Sequence, residues 1–398
     1  MQANDPVQEK SNTSRSPNSQ IGNIPRPALK IQHKYAKSYF LETQRIIKSI
    51  QEKIPGKIMV YYVPIKYSMV DDHVDYFLEA LKDVKEDTGV INLIIFSPGG
   101  SWEAALRIAS LIRKFCKTFN VIIPSRCSSA ATKLALGAEK MYFTPSGFIT
   151  PVDTQIIYKM MGTEGNIGNT GNFTSCDAIN KVIDLLLARS SSGEDREKVY
   201  KGYELIFKYI HPTMVGDTIR VSKASERSGR QLMNMHPDSF ESLEKIDEIA
   251  KKLVYDYPSH DYPIIYTEAK ELGLPVELIE DKELCFSLWD LIKYYRSATR
   301  EVKTIVGPSV IHIEENSVVI ETDTKRLARR FSFNKQFLQS TRSWEYTNDN
   351  SQWVKVIHAS NAFGYKTIAI QEQEEEIPKL DLETQPSTPA ENLVPPKS

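Results

Sequence analysis

The sequence predicts an α/β fold: a parallel sheet threaded by βαβ crossovers, followed by a small β-rich C-terminal module. Two patterns carry this reading. Between residues 57 and 143, short β-branched apolar runs alternate with stretches whose apolar residues recur at helical spacing. Beyond about residue 300 the pattern changes to apolar/polar alternation around Asn-containing turns, as in hairpins.

The first helix is predicted over Tyr39 to Ile54, with Phe40, Ile46, Ile47 and Ile50 on the inner face. KIMVYYVPI, from Lys57, reads as a strand. DDHVDYFLEALKDV then offers Asp71 or Asp72 as N-cap and repeats Val74, Phe77, Leu78 and Leu81 along one helical face. VINLIIF is continuously apolar, as expected of a strand covered on both sides. After SPGG, the residues Ala105, Ile108, Ala109 and Ile112 mark another helix. NVIIP, CSSAATKLALGA and KMYF then read as strand, small-residue helix and strand. Right-handed crossovers assemble such an alternation into a parallel sheet.

From Thr150 to Gly171 the chain reads as irregular, and its glycines at 162, 165, 168 and 171 lack the strand context and the Lys-Ser/Thr of a phosphate loop. Helices are expected over roughly 176–189, 193–210 and 238–254, and YPIIYTEAKELGL as a last strand or turn feeding a short helix. VIHIEENSVVIETD and WEYTNDNSQWVKVIHAS are read as hairpins, with Trp344 and Trp353 in cross-strand core packing ahead of a recognition surface. The domain reading is therefore a polar tail at 1–30, an α/β domain at 31–298, the β-rich module at 299–370 and an acidic, Pro-rich tail at 371–398. Both tails bury too little apolar surface to order themselves.

Composition narrows the function. Lys and Arg number 50 against 51 Asp and Glu, so no net field gathers nucleic acid or an anionic membrane. Cys116, Cys127, Cys176 and Cys285 show no CxxC spacing, and the seven histidines no paired metal-ligand spacing. No run approaches the roughly 20 apolar residues of a membrane span. The expectation is a cytoplasmic protein without metal or organic cofactor.

Two strand-to-helix turns carry the chemistry. In SPGG, glycines at the end of a buried strand permit positive φ and expose bare N–H groups able to hold an oxyanion. In the next crossover Ser125, Ser128 and Ser129 compete, one as helix cap and another as nucleophile. Neighbouring strands of a parallel sheet end at one crevice, so both turns can address one ligand.

The runs SPGGSWEAALRIASLIRKF, VIIPSRCSSAATKLALGAEKMYF, SGFITPVDTQ and SHDYPIIYTEAKELGL together resemble the serine dehydrogenase proteinase family, of the Clp/crotonase fold and related to signal peptide peptidase A and Clp protease. The resemblance spans about residues 40–285. It implies Ser129 of SAAT as nucleophile and the Gly100 and Ala130 amides as oxyanion hole. Clp proteases carry a histidine where this chain has SGFITPVDTQ, so the chain resembles the Ser-Lys branch instead. A lysine acts as base only where burial holds its pKa far below the ordinary 10.4 or so. Lys181, in an apolar setting and at a separation from Ser129 like that of signal peptide peptidases, is the expected base. Lys198, Lys201 and Lys208 are its rivals, and Lys133 is expected to point away. Asp153 matches a position of the resembled family and is read as a structural turn or cap ahead of a catalytic partner, and His260 as a turn residue.

The implied activity is that of an ATP-independent serine endopeptidase acting on protein or peptide substrates, with SPGG pairing along an extended peptide. Relatives of this fold assemble into rings or layers, which implies a homo-oligomer. The alternatives are a catalytically silent peptide-binding protein on the same groove and a crotonase-type acyl-CoA enzyme, the latter lacking a basic cluster for nucleotide phosphates.

Overall fold

The computed structural model describes residues 39–84, 88–153, 155–158, 172–175, 181–182, 184–185, 196–208, 211–307, 309–347, 349–360 and 364–370. Both predicted tails, the glycine-rich stretch 162–171, Cys176 and most of the predicted helix 176–189 lie outside these residues.

The chain opens with helix α1 (Phe40–Lys53), strand β1 (Lys57–Tyr62), α2 (His73–Leu81) and β2 (Val90–Phe96). It continues with α3 (Trp102–Lys114), β3 (Thr118–Ile123), β4 (Arg126–Cys127), α4 (Ala130–Leu136), β5 (Lys140–Phe143) and β6 (Phe148–Ile149). Apart from the two-residue β4 and β6, which it did not assign, these follow the sequence reading, because buried apolar runs and helical periodicity are strong signals here. After the short antiparallel pair β7 (Gln155–Tyr158) and β8 (Asn172–Ser175) come α5 (Arg196–Phe207), α6 (Pro212–Met233) and α7 (Leu243–Tyr255). Then follow β9 (Ile264–Ile265), α8 (Tyr266–Leu272), β10 (Val276–Leu278) and α9 (Lys282–Ala298). The sequence reading assigned neither α6 nor α9, and β7 falls in the stretch from Thr150 that it takes as irregular. The inward face of α6 is built from small residues, Ser222, Ser225, Ser228 and Gly229, which carry no apolar periodicity.

The remaining strands are β11 (Val302–Gly307), β12 (Val310–Thr322), β13 (Lys325–Leu338), β14 (Ser343–Thr347), β15 (Gln352–His358) and β16 (Tyr365–Ala369). Strands β10, β5, β3, β2 and β1 are mutually parallel neighbours, and β12 adds antiparallel to β1, with Tyr61 opposite Ile320. The sheet then runs on through β13, β15 and β16. The β-rich C-terminal region thus extends the central sheet.

Two of the predicted hairpins take another form. Asn316 is no turn: β12 passes through it with a register shift, and its side-chain amide donates to the Ala298 carbonyl at 2.8 Å. Nor do β14 and β15 pair with each other, since both lie along the 14-residue β13, Phe337 facing Trp344 and Arg329 facing Trp353. Trp353 is fully buried and stacks on Tyr76, so its core role holds, whereas Trp344 packs edge-on against Phe337 and remains exposed.

Alternating side chains of the sheet feed two cores. Met59 and Tyr61 point to the side packed by Phe77 of α2, Ile108 of α3, Leu134 of α4 and Ile249 of α7. Ile58, Val60 and Tyr62 point to the side packed by Ile47 of α1 and Leu288 and Ile292 of α9. Period-2 alternation with both faces covered is what makes the parallel strands apolar throughout.

A buried polar cluster fixes the C-terminal strands to α1 and α9. Glu321, fully buried, accepts from Thr43 and Gln44 at 2.7 Å, from Tyr295 at 2.9 Å and from Arg326 at 2.6 Å. The guanidinium also donates to Thr43 and sits over the Phe40 and Tyr295 rings. Every oxygen of this carboxylate has a partner, the condition under which a buried charge is tolerated.

Candidate active site

Two adjacent crossovers are stitched together at their turns. The Ser97 amide donates to the Arg126 carbonyl at 3.1 Å and the Ser128 amide to the Ser97 carbonyl at 3.0 Å, which brings the end of β2 against the start of α4. Each glycine of SPGG answers a different close approach. Gly99, at φ +106°, is so near the next turn that a Cβ there would lie 2.8 Å from Ser129 Cβ. Gly100, at φ +140°, backs onto Met69, whose carbonyl oxygen would be 2.3 Å from such a Cβ.

Met69 lies alongside this turn as an isolated parallel bridge. Its amide donates to Gly99 and its carbonyl accepts from Ser101, at 2.7 and 2.9 Å. The edge expected to receive an extended peptide is therefore already paired on that side. The bridge uses neither polar group of Gly100. Among the described residues, the Gly100 and Ala130 amides donate to no acceptor.

Ser129 holds a left-handed backbone, φ 51° and ψ −115°, one of two non-glycine residues with positive φ among the described residues. Such a conformation costs on the order of 1–3 kcal/mol and persists only where surroundings enforce it. They do so here: its amide donates to Thr150 Oγ1 at 2.8 Å, and Thr132 in turn bonds Cys127 O and the Thr150 amide. The Ser129 hydroxyl caps nothing, although the residue occupies the N-cap position. Ser128 is buried, accepting from Arg126 at 3.3 Å, and the Ser125 carbonyl accepts from Phe148. Of the three serines, Ser129 is the one on the cavity wall.

That cavity holds about 290 Å³. Gly99 and Gly100 line it from the first turn, Ser129, Ala130 and Lys133 from the second, and Asp153 and His260 from the far side. Clefts of about 620 and 580 Å³ lie elsewhere, around Lys270 and Glu277 and around Lys53 and Asp281, and neither is lined by Ser129.

The structure corrects the reading of Lys133. Cα–Cβ bonds tilt toward a helix N-terminus, so the side chain four residues beyond Ser129 leans back over it rather than away. Lys133 is 2 % exposed and sits over the Trp102 ring at 5.4 Å. Burial drives its pKa down to about 7, against the opposing charges of Glu103 and Asp153. It is the one charged residue in SSAATKLALGA, in a helix buried along its whole length. That isolation was the available signal. Lys181 is exposed and does not line this cavity. Lys201 and Lys208 are exposed as well, and the Lys198 side chain lies outside the described residues.

Asp153 and His260, read from sequence as turn residues, form a pair instead. His260 Nδ1 lies 2.8 Å from Asp153 Oδ1, and Asp153 is 7 % exposed. Burial opposes the imidazolium, but the hydrogen bond and charge of Asp153, with the charge of Asp261, together raise the His260 pKa. The residues stand 107 apart in sequence, a separation no local motif reveals.

Among the described residues no group of three His, Cys, Asp or Glu is placed to hold a metal ion, and no helix is long and apolar enough to cross a membrane.

Residues 38–163 match the family of ClpP-like, SDH-type serine proteinases, so the resemblance noted in the sequence holds over the segment carrying Ser129, Lys133 and Asp153. His260 falls beyond it. Over 249 residues the chain is 26 % identical to the uncharacterised protein MJ0137 of Methanocaldococcus jannaschii, covering 62 % of this chain and 73 % of that one. Over 216 residues it is 26 % identical to MJ1495 of the same organism, covering 54 % and 61 %. Among solved structures, a 1510-N membrane-bound stomatin-specific protease in complex with a substrate peptide is similar at 14 % identity and a TM-score of 0.34, over 54 % of this chain and 73 % of that one. ClpP1 from Listeria monocytogenes is similar at 15 % and 0.32, over 61 % and 98 %.

Proposed function

We propose that the protein is a serine endopeptidase in which Ser129 attacks a peptide carbonyl, Lys133 takes its proton, and the Gly100 and Ala130 amides receive the oxyanion. The observation that carries this reading is one cavity shared by an uncapped serine in an enforced left-handed conformation, a buried lysine one turn away and two amides without acceptors.

Each part has a physical reason. A neutral amine accepts the hydroxyl proton, and burial supplies neutral amine near pH 7. Backbone donors fixed beforehand stabilise the developing charge without reorganising, each worth about 2.7–4 kcal/mol in comparable sites. The match to a serine proteinase family supports the same reaction class.

A fluorophosphonate probe and casein cleavage test the proposal. Wild-type protein is expected to label and to cleave casein, and Ser129→Ala to lose both. Retention of either by the variant contradicts the assignment.

A further inference from the structure

The cavity holds more proton-transfer chemistry than a Ser-Lys pair requires. Resting on the reading above, we infer that His260, oriented by Asp153, is the general acid that protonates the leaving amine, while Lys133 serves only the Ser129 hydroxyl. His260 and Lys133 line the same 290 Å³ cavity from different elements. With Nδ1 held by the Asp153 carboxylate, Nε2 is the remaining nitrogen of the imidazole that lines it.

Charge balance supports dividing the work. Asp153 is nearly buried and interacts with both bases, by hydrogen bond with His260 and by charge with Lys133. Its single negative charge offsets one proton on the pair, since a second uncompensated cation would be costly away from water. The other charges acting on the two bases are Asp261, beside His260, and Glu103, near Lys133. Their surroundings push the two in opposite directions, Lys133 down by burial and His260 up by the hydrogen bond and charge of Asp153, an opposition that marks acid and base partners.

The steps then balance. The Lys133 Nζ lone pair takes the Ser129 proton as Oγ bonds to the carbonyl carbon, and the C=O π pair moves to oxygen. On collapse the C–N bond breaks, its electrons stay on nitrogen, and His260 Nε2 gives that nitrogen a proton, leaving a Ser129 ester. Neutral His260 next takes a proton from water as the water oxygen attacks the ester. The Ser129 oxygen then leaves and recovers its proton from Lys133. The pair carries one proton in the free enzyme and in the ester, and two in each tetrahedral intermediate, where the oxyanion balances the second.

Fluorophosphonate labelling expels fluoride and needs no leaving-group acid, whereas peptide cleavage does. His260→Gln is therefore expected to label Ser129 within about threefold of the wild-type rate and to lose roughly 100-fold or more in peptide cleavage. Lys133→Met is expected to lose both. Asp153→Asn, which keeps the ring but removes its charge partner, is expected to shift the alkaline limb of peptide cleavage to lower pH. Loss of labelling by a folded His260→Gln protein makes His260 the base and overturns the inference, as does full peptide cleavage by that variant. Failure of wild-type protein to label while it cleaves no peptide overturns the Ser129 reading, and this one with it.

Discussion

Ser129 and Lys133 are joined across the first turn of α4, the Lys133 amide donating to the Ser129 carbonyl at 3.1 Å. Lys133 leans back toward the start of the helix, and both side chains line the same cavity. The proposed nucleophile and base thus come from one local element, and the preceding crossover has only to bring the Gly100 amide to them.

Burying this lysine makes stability depend on pH. Its folded pKa, about 7, lies below the ordinary 10.5, so between these values the unfolded chain binds a proton that the folded chain does not. Stability from this group therefore rises with pH across that window, by up to about 1.4 kcal/mol per unit, and is flat below it. Urea denaturation of wild type and Lys133→Met at pH 6, 8 and 9.5 is expected to show the variant relatively more stable at pH 6, with the gap closing as pH rises.

The left-handed backbone of Ser129 is a stability cost kept for geometry. Ser129→Gly relieves it and is expected to raise stability by about 1 kcal/mol in thermal or urea unfolding, while Ser129→Ala, which retains a Cβ, gains little. Equal effects from the two substitutions would argue against enforced strain.

Gly100→Ala places a methyl into the Met69 backbone and Gly99→Ala places one against Ser129 Cβ. Both are expected to destabilise the protein by about 1–3 kcal/mol. Probe labelling by Gly99→Ala should fall by more than the unfolded fraction accounts for, because Ser129 itself must shift.

Glu321→Ala removes the acceptor of a buried cluster and strands Arg326. It is expected to cost about 3–5 kcal/mol in urea unfolding. Loss of Ser129 labelling should follow only as the protein unfolds, since the cluster ties α1 and α9 to β12 and β13 and lines no part of the Ser129 cavity.

What the sequence revealed, and what it hid, follows from locality. The strands from Lys57 to Phe143 and the turns around Gly100 and Ser129 were legible because each is set by a few neighbouring residues. Lys133 was misread because helical spacing says which face a residue occupies, while its direction along the axis has to be added from the geometry of Cβ. The Asp153–His260 pair was illegible, as was the pairing of β14 and β15 along β13, because both depend on tertiary placement. Asn316 misled for a different reason: a turn-forming residue was read as a turn, whereas its side-chain amide bonds the end of α9 inside a continuous strand.

The most direct test of the central claim is the rate of Ser129 labelling by a fluorophosphonate as a function of pH, in wild type, Lys133→Met, Lys133→Arg and Lys181→Met. The wild-type rate is expected to rise through a midpoint near pH 7 as the Lys133 amine loses its proton, and Lys181→Met to follow the same curve. Lys133→Met and Lys133→Arg should fall roughly 100-fold or more across the range, since neither offers a neutral amine. Wild-type labelling by Lys133→Met, or its loss in Lys181→Met, would contradict the account.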